Sequence, residues 1–300
     1  MKKILFLLIL NLGLSSVASA KINLFACEPE WGALAVELGG DKLHVTTATT
    51  ALQDPHHVQA RPSLIARLRR ADMLICTGAD LEVGWLPVLL RRASNARVQP
   101  GQPGYVEAAS AVPLLDRPAR LDRAQGDVHP QGNPHIQTDP HNILKVARLV
   151  SHRLSQVDAE NSGYYQQRLD DFIQRWRQAL IRWDERGKVL KGTPVVVQHN
   201  GWTYLVHWLG LQQVATLESK PGVPPSSADL AKVLNTLKIQ PAKAVIRAAY
   251  QDDRPSQWLS ERAGIPRLVL PFTVGGDDQS GDLFKLYDRT LDLLLSMVKS

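Results

Sequence analysis

Apolar positions along the chain come in short runs that alternate with helix-spaced patterns. Ile22 to Cys27 is a brief apolar run that predicts a strand, and Trp31 to Leu38 then takes helical spacing and stops at Gly39-Gly40. Leu43 to Thr47 is strand-like again. Pro62-Ser63 opens an amphipathic helix with Leu64, Ile65 and Leu68 on one side, and Met73 to Cys76 follows as a buried strand with Gly78 as its turn. This β-α-β-α-β rhythm predicts a parallel sheet flanked by helices, in which ligands bind beyond the carboxyl ends of the strands.

From about Gln99 to Gly132 the periodicity fades among Pro, Gly and charged residues, and Arg120 to Gln131 reads as a mobile surface loop. Helical spacing returns over Asn142 to Gln156 and over Tyr164 to Leu190, with a break near Asp158 to Gly163. In the second stretch Tyr165, Leu169, Phe172, Ile173, Trp176, Leu180 and Trp183 fall on one face. At the helical rise this element would be ~40 Å long, a stiff connector rather than a loose hinge. After Gly192 the strand-helix rhythm restarts through Val195 to Gln198, Ala244 to Ile246 and Leu268 to Leu270, and Leu283 to Val298 closes the chain as an amphipathic helix. The expected architecture is therefore α/β with two lobes, each a parallel sheet flanked by helices, joined by one long rigid helix. The expected divisions are a leader at residues 1–20, an N-terminal lobe at 21–160, a connecting helix at 161–190 and a C-terminal lobe at 191–300.

The leader has a charged start at Lys2 and Lys3, an apolar stretch from Ile4 to Leu14, and small residues at Ala18-Ser19-Ala20. It predicts export to a periplasm, with a soluble mature protein. Lys21 rather than cysteine follows the expected cut, which argues against a lipid anchor. Without Lys2 and Lys3 the formal charge of +6 becomes 35 − 2 − 29 = +4. The arginines are scattered along helices rather than gathered with aromatics, which excludes a nucleic-acid interface. Two cysteines, Cys27 and Cys76, lie in strand-like runs; an oxidising compartment allows a disulfide between them, with inert buried thiols or metal thiolates as alternatives.

Three histidines sit at strand ends or in Pro-punctuated turns. They are His56 in Asp54-Pro55-His56-His57, His135 in Gly132-Asn133-Pro134-His135, and His199 directly after the apolar run Val195 to Gln198. Neutral imidazole and carboxylate suit a borderline divalent cation such as zinc, and ligands drawn from both halves of a chain would clamp an ion between lobes. Asp139, four residues after His135, could accept its second ring N–H or cap the helix that follows. The acidic candidate is Asp277, with Asp278 as the alternative; Asp282 is the natural cap of the last helix. His129 lies in the irregular loop and is expected to serve as a transient recruiting ligand. His152 and His207 fall within helices and read as packing or surface residues.

These residues resemble the zinc and manganese substrate-binding proteins of bacterial ABC importers. The resemblance covers nearly the whole mature chain. It rests on Phe25-Ala26-Cys27-Glu28-Pro29, Asp54-Pro55-His56 with Arg61-Pro62-Ser63, and Gly78-Ala79-Asp80-Leu81-Glu82. It continues through Gly132-Asn133-Pro134-His135, Gln198-His199, Pro221-Gly222-Val223-Pro224-Pro225 and Val274-Gly275-Gly276. It implies two α/β lobes around one metal, with the family's histidine ligands carried over to His56, His135 and His199. Many relatives place an aspartate at about the position of Val274; the Gly-Gly here leaves Asp277 as the inferred carboxylate. A third histidine, where manganese-binding relatives often have glutamate, favours Zn2+ as the bound ion. The implied partners are a membrane ABC permease and, as a candidate donor, a periplasmic metallochaperone, with the receptor a monomer and not an enzyme. The rivals are the same receptor role with manganese, a surface adhesion protein, and a zinc-dependent hydrolase using Glu218 as the acid. Affinity is expected to fall as pH drops through histidine titration near ~6.5.

Overall fold

The computed structural model describes residues 21–118 and 126–299; the expected leader, residues 1–20, and residues 120–125 of the expected surface loop lie outside them. Two four-stranded parallel sheets form the frame. The first contains β1 (Ile22–Ala26), β2 (Leu43–Thr47), β3 (Met73–Cys76) and β4 (Tyr105–Glu107) in the order β2-β1-β3-β4. The second contains β5 (Pro194–Val197), β6 (Gln212–Thr216), β7 (Ala244–Ala248) and β8 (Arg267–Leu270) in the order β6-β5-β7-β8. Both orders reverse at their first strand, so each lobe has a switch point beside β1 or β5, where loops part and leave a crevice.

Strand alternation divides the core. Leu24 and Ala26 face inward to the shared core, whereas Phe25 and Cys27 face an outer layer built on α2 (Pro62–Arg69) and α3 (Leu86–Ala93). In the second lobe Val195 and Val197 face inward, and Val196 faces α7 (Ser227–Ile239) and α8 (Arg254–Ala263). Neither α3 nor β4 was foreseen. Leu86, Leu89, Leu90 and Ala93 do carry a helical pattern, but β4 is three residues long and is defined only by pairing with β3.

A helical spine lies between the lobes. It comprises α1 (Pro29–Gly39), α4 (Pro140–Val157), α5 (Ser162–Gly187) and α9 (Leu283–Lys299), with α6 (Thr203–Leu209) beside them. At 26 residues, α5 is about 39 Å long, as its apolar stripe implied. It does not stand alone. The Trp176 ring meets Phe284 at 4.8 Å and Trp183 at 5.0 Å, and Trp183 meets Tyr287 at 5.1 Å, so α9 is zipped along α5 by aromatic packing. Both indoles are buried with their N–H satisfied: Trp176 donates to Pro140 O at 2.9 Å and Trp183 to Asp288 Oδ1 at 2.9 Å. One apolar cluster runs from Leu24 and Trp31 through these rings to Ile246 and Leu291.

A disulfide joins Cys27 to Cys76 just beyond the paired ends of β1 and β3, across 49 residues of sequence. In the chain-entropy account, closing a loop of that length stabilises the fold by about 4 kcal/mol. No described helix is long and apolar enough to cross a membrane. Because Trp176 anchors both halves of the spine, Trp176→Ala should cost about 3–5 kcal/mol, read as a lower urea midpoint. A loss below about 1 kcal/mol would show that α9 and α5 hold together without it.

Candidate metal centre

Each histidine arrives at the interlobe seam on a braced segment. After β2 the chain turns at Asp54-Pro55-His56. Asp54 Oδ1 accepts from His56 N at 3.0 Å and from its ring Nδ1 at 2.7 Å, while Pro55 O accepts from the buried Trp85 indole at 2.9 Å. The turn is therefore tied both to its own aspartate and to the outer core. His135 N donates to Asn133 Oδ1 at 3.0 Å, and Asn133 Nδ2 donates to Asn200 O at 2.7 Å, which stitches the His135 segment to the loop carrying His199. His199 follows β5 by two residues. Gly201 packs so closely that an added Cβ would lie 3.2 Å from the His199 ring and 3.0 Å from Phe272, so the turn leaves room for glycine.

The imidazoles converge. Ring centroids lie 5.3 Å apart for His56–His135, 5.9 Å for His56–His199 and 5.6 Å for His135–His199. A fourth ring joins them: His129 lies 5.3 Å from His56 and 6.2 Å from His135. One ring nitrogen from each of His56, His129 and His135 falls within 4.8 Å of the others. The closest approach is His56 Nε2 to His129 Nε2, at 3.3 Å. With metal–nitrogen bonds of 2.0–2.1 Å, the edge of a tetrahedral zinc site is about 3.3–3.4 Å.

What ties the other ring nitrogens fixes which atoms point inward. His199 Nδ1 is 2.7 Å from Glu218 Oε2, as His56 Nδ1 is from Asp54, so both present Nε2 to the seam. Such carboxylate–imidazole pairs fix the tautomer and raise ligand basicity. The backbone carbonyls of Ala79 and Asp80 act as acceptors for the His129 ring. His135 is the extreme case. It is 1% exposed, and neither ring nitrogen has a hydrogen-bond partner among the described residues. A buried imidazole with bare nitrogens is costly unless it binds something.

Electrostatics favours neutral rings and an incoming cation. Burial, then the neighbouring rings of His56 and His199, pushes His135 well below the ordinary imidazole range. The same causes bring His129 down to about 4, against the carbonyls of Ala79 and Asp80. Asp54, Asp127, Glu218 and Asp252 line a cleft together with His56 and His199, which concentrates cations at the entrance.

Three expectations need correction. Asp139 does not orient His135; its Oδ1 caps α4 by accepting from His141 N at 2.8 Å and also faces His141 Nδ1 at 2.8 Å. The acidic candidates do not join the imidazoles. Asp277 Oδ2 is held by Arg289 Nε at 2.6 Å and its Oδ1 by Gln279 N at 3.0 Å, while Asp278 is solvent-exposed. Arg289 arrives from α9, which no local pattern could reveal. The fourth ring beside them is that of His129, for which nearness to His135 along the chain was the only sequence signal. Glu218, weighed as a hydrolytic acid, is occupied by His199 and by Gly222 N at 2.8 Å.

Because both folded values are depressed, His129 and His135 contribute stability that is present above the unfolded imidazole value of about 6.5 and is lost as pH falls below it. In the metal-free protein the His129 ring should titrate at about 4 by NMR. The melting temperature should decline across that same window. A His129 midpoint near the unperturbed value would contradict its burial among the other rings.

Comparison with known proteins identifies the family and the fold. The family model for the periplasmic component A of the zinc-uptake complex matches residues 25–296. The chain is 24% identical over 242 residues to the zinc-binding lipoprotein AdcA of Streptococcus pneumoniae, covering 78% of this chain and 46% of that protein. It thus spans about half the length of that relative. It is 22% identical to the manganese ABC transporter substrate-binding lipoprotein scaA of Streptococcus gordonii, covering 95% and 94% of the two chains. Among solved structures, ZnuA superposes with a TM-score of 0.75 at 19% identity, covering 91% of this chain and 99% of that one. FpvC from Pseudomonas aeruginosa in complex with Mn2+ gives 0.78 at 21%, covering 93% and 99%. At these identities the structures establish the fold, two parallel-sheet lobes around a long helix. With the family model matching almost the whole described chain, the protein belongs to the family of periplasmic metal-binding components of zinc-uptake complexes.

Proposed function

We propose that the protein is the periplasmic receptor of a metal ABC importer, holding one zinc ion between His56, His129, His135 and His199 and handing it to the membrane permease. The observation that carries this reading is the 3.3 Å separation of two Nε2 atoms whose rings are oriented by acceptors at their other nitrogens. Two bare lone pairs at that distance repel, and a shared cation turns the repulsion into coordination. Four neutral nitrogens suit zinc. Manganese prefers carboxylate, carbonyl and water ligands, and the nearby carboxylates Asp54 and Glu218 are spent on imidazole N–H groups. The names of scaA and FpvC keep manganese as the second reading.

The ligands also account for capture and release. His56 hangs from the first sheet, His199 from the second, and His129 and His135 from the crossing segment between them. An ion bound to all four favours the arrangement in which the lobes are drawn together. A hydrolytic reading is less well supported, since a fourth nitrogen closes the position that an attacking water would need.

Elemental analysis of protein purified without added metal should find one zinc per chain and no stoichiometric manganese. His199→Ala should weaken zinc binding by about a hundredfold or more, and Glu218→Gln by about 10–100-fold, in competition titrations against a chromophoric chelator. Unchanged affinity in His199→Ala would remove that residue from the site. Equal competition by manganese would favour the second reading, and turnover abolished by chelation would favour the hydrolase.

A further inference from the structure

The segment Gly78-Ala79-Asp80 is the most strained stretch of described backbone. Its three residues have φ of +77°, +51° and +64° in succession, and two of them are not glycine. L-residues enter that region only when the surroundings hold them there. What holds this turn is the side chain of Glu82, which is 2% exposed. Its Oε1 accepts from Thr77 N at 2.7 Å and its Oε2 from Gly78 N at 3.1 Å.

A second buried carboxyl completes the brace. Glu28 Oε2 accepts from Thr77 Oγ1 at 3.1 Å, and Trp31 Nε1 donates to the same hydroxyl at 2.8 Å. Two carboxylates this deeply buried cannot both be charged at low cost. Burial, then the charges of Glu82 and Glu30, raises Glu28 well above the carboxylate range, and burial raises Glu82 to about 7. The disulfide lies directly beneath, since Cys27 and Cys76 immediately precede Glu28 and Thr77. All of this rigidity serves one surface: Asp80 and Leu81 line the cavity that His56 and His129 also line, with the backbone of Ala79 and Asp80 against the His129 ring.

We infer that Glu82 is a positioning residue for the metal site, fixing the left-handed turn that walls the cavity beside His129. The inference rests on reading His129 as a ligand. It explains why Glu28 and Glu82, which touch no ion, are buried together behind the seam, and it links two sequence motifs that the site itself leaves unused.

The test is a double-mutant cycle on zinc affinity, using Zn2+ in competition with a chromophoric chelator. Glu82→Gln, which swaps one acceptor oxygen for an N–H donor, should weaken binding by about 10–100-fold, as losses beyond the ligand shell do. Added to His129→Ala it should change affinity by no more than about twofold, since its effect passes through that ring. Glu28→Gln, which keeps an oxygen to accept from the Thr77 hydroxyl, should bind zinc like the parent. If Glu82→Gln fails to fold, Glu82→Asp, too short to span both N–H groups, is read in the same cycle. Parent-like affinity in the Glu82 variant while His129→Ala is weakened overturns this inference alone, and so does a Glu82 effect that multiplies fully with His129→Ala. Parent-like affinity in His129→Ala overturns the ligand reading and this inference with it.

Discussion

Four imidazole rings, each with its centroid within 6.2 Å of at least two others, impose the constraint on which the rest of the seam depends. Charged rings gathered this closely would repel, which disfavours protonation of His129 and His135. The arrangement persists because each segment is held from behind. Asp54 and Trp85 hold the His56 turn, Asn133 the His135 turn, and Glu218 the His199 ring. Coordination then releases energy that the fold has stored as unmet polar valence, most plainly at His135, whose nitrogens are bare and buried.

The architecture supplies both the crevice and its stiffness. Two sheets with the same reversed strand order turn their carboxyl ends to one seam, which places the loops after β1, β2, β3 and β5 within reach of a single point. A continuous apolar core through α1, α4, α5 and α9 restricts how far the lobes can part. Direct polar bridges add to this: Thr273 donates to Glu30 at 2.5 Å, and Tyr204 to Asn133 O at 2.7 Å. Burial raises Glu30 to about 7, against its bond to Thr273, so one bridge between the lobes involves a carboxyl that titrates near neutrality.

Acidic side chains therefore play three separate parts here. Some tie imidazole N–H groups, as Asp54 and Glu218 do. Others, Glu28 and Glu82, brace the backbone at Thr77 and Gly78. Asp277 belongs to neither group, because Arg289 on α9 neutralises it. Their partners in the fold separate them.

Much of the frame was legible in the residues. Apolar runs of four to six gave the strands, three-four spacing gave the spine helices, and His56, His135 and His199 stood out because each closes a turn or a strand facing a parallel-sheet crevice. These features are local, and local periodicity is what a sequence displays directly. β4 escaped because three residues carry no period, and the carboxylate choice failed because Arg289 reaches Asp277 from another element. The fourth imidazole, the partners of each spare ring nitrogen and the brace behind Gly78-Ala79-Asp80 were decided by tertiary structure alone. They depend on contacts between groups distant along the chain, whose distances and burial no spacing of residue types encodes.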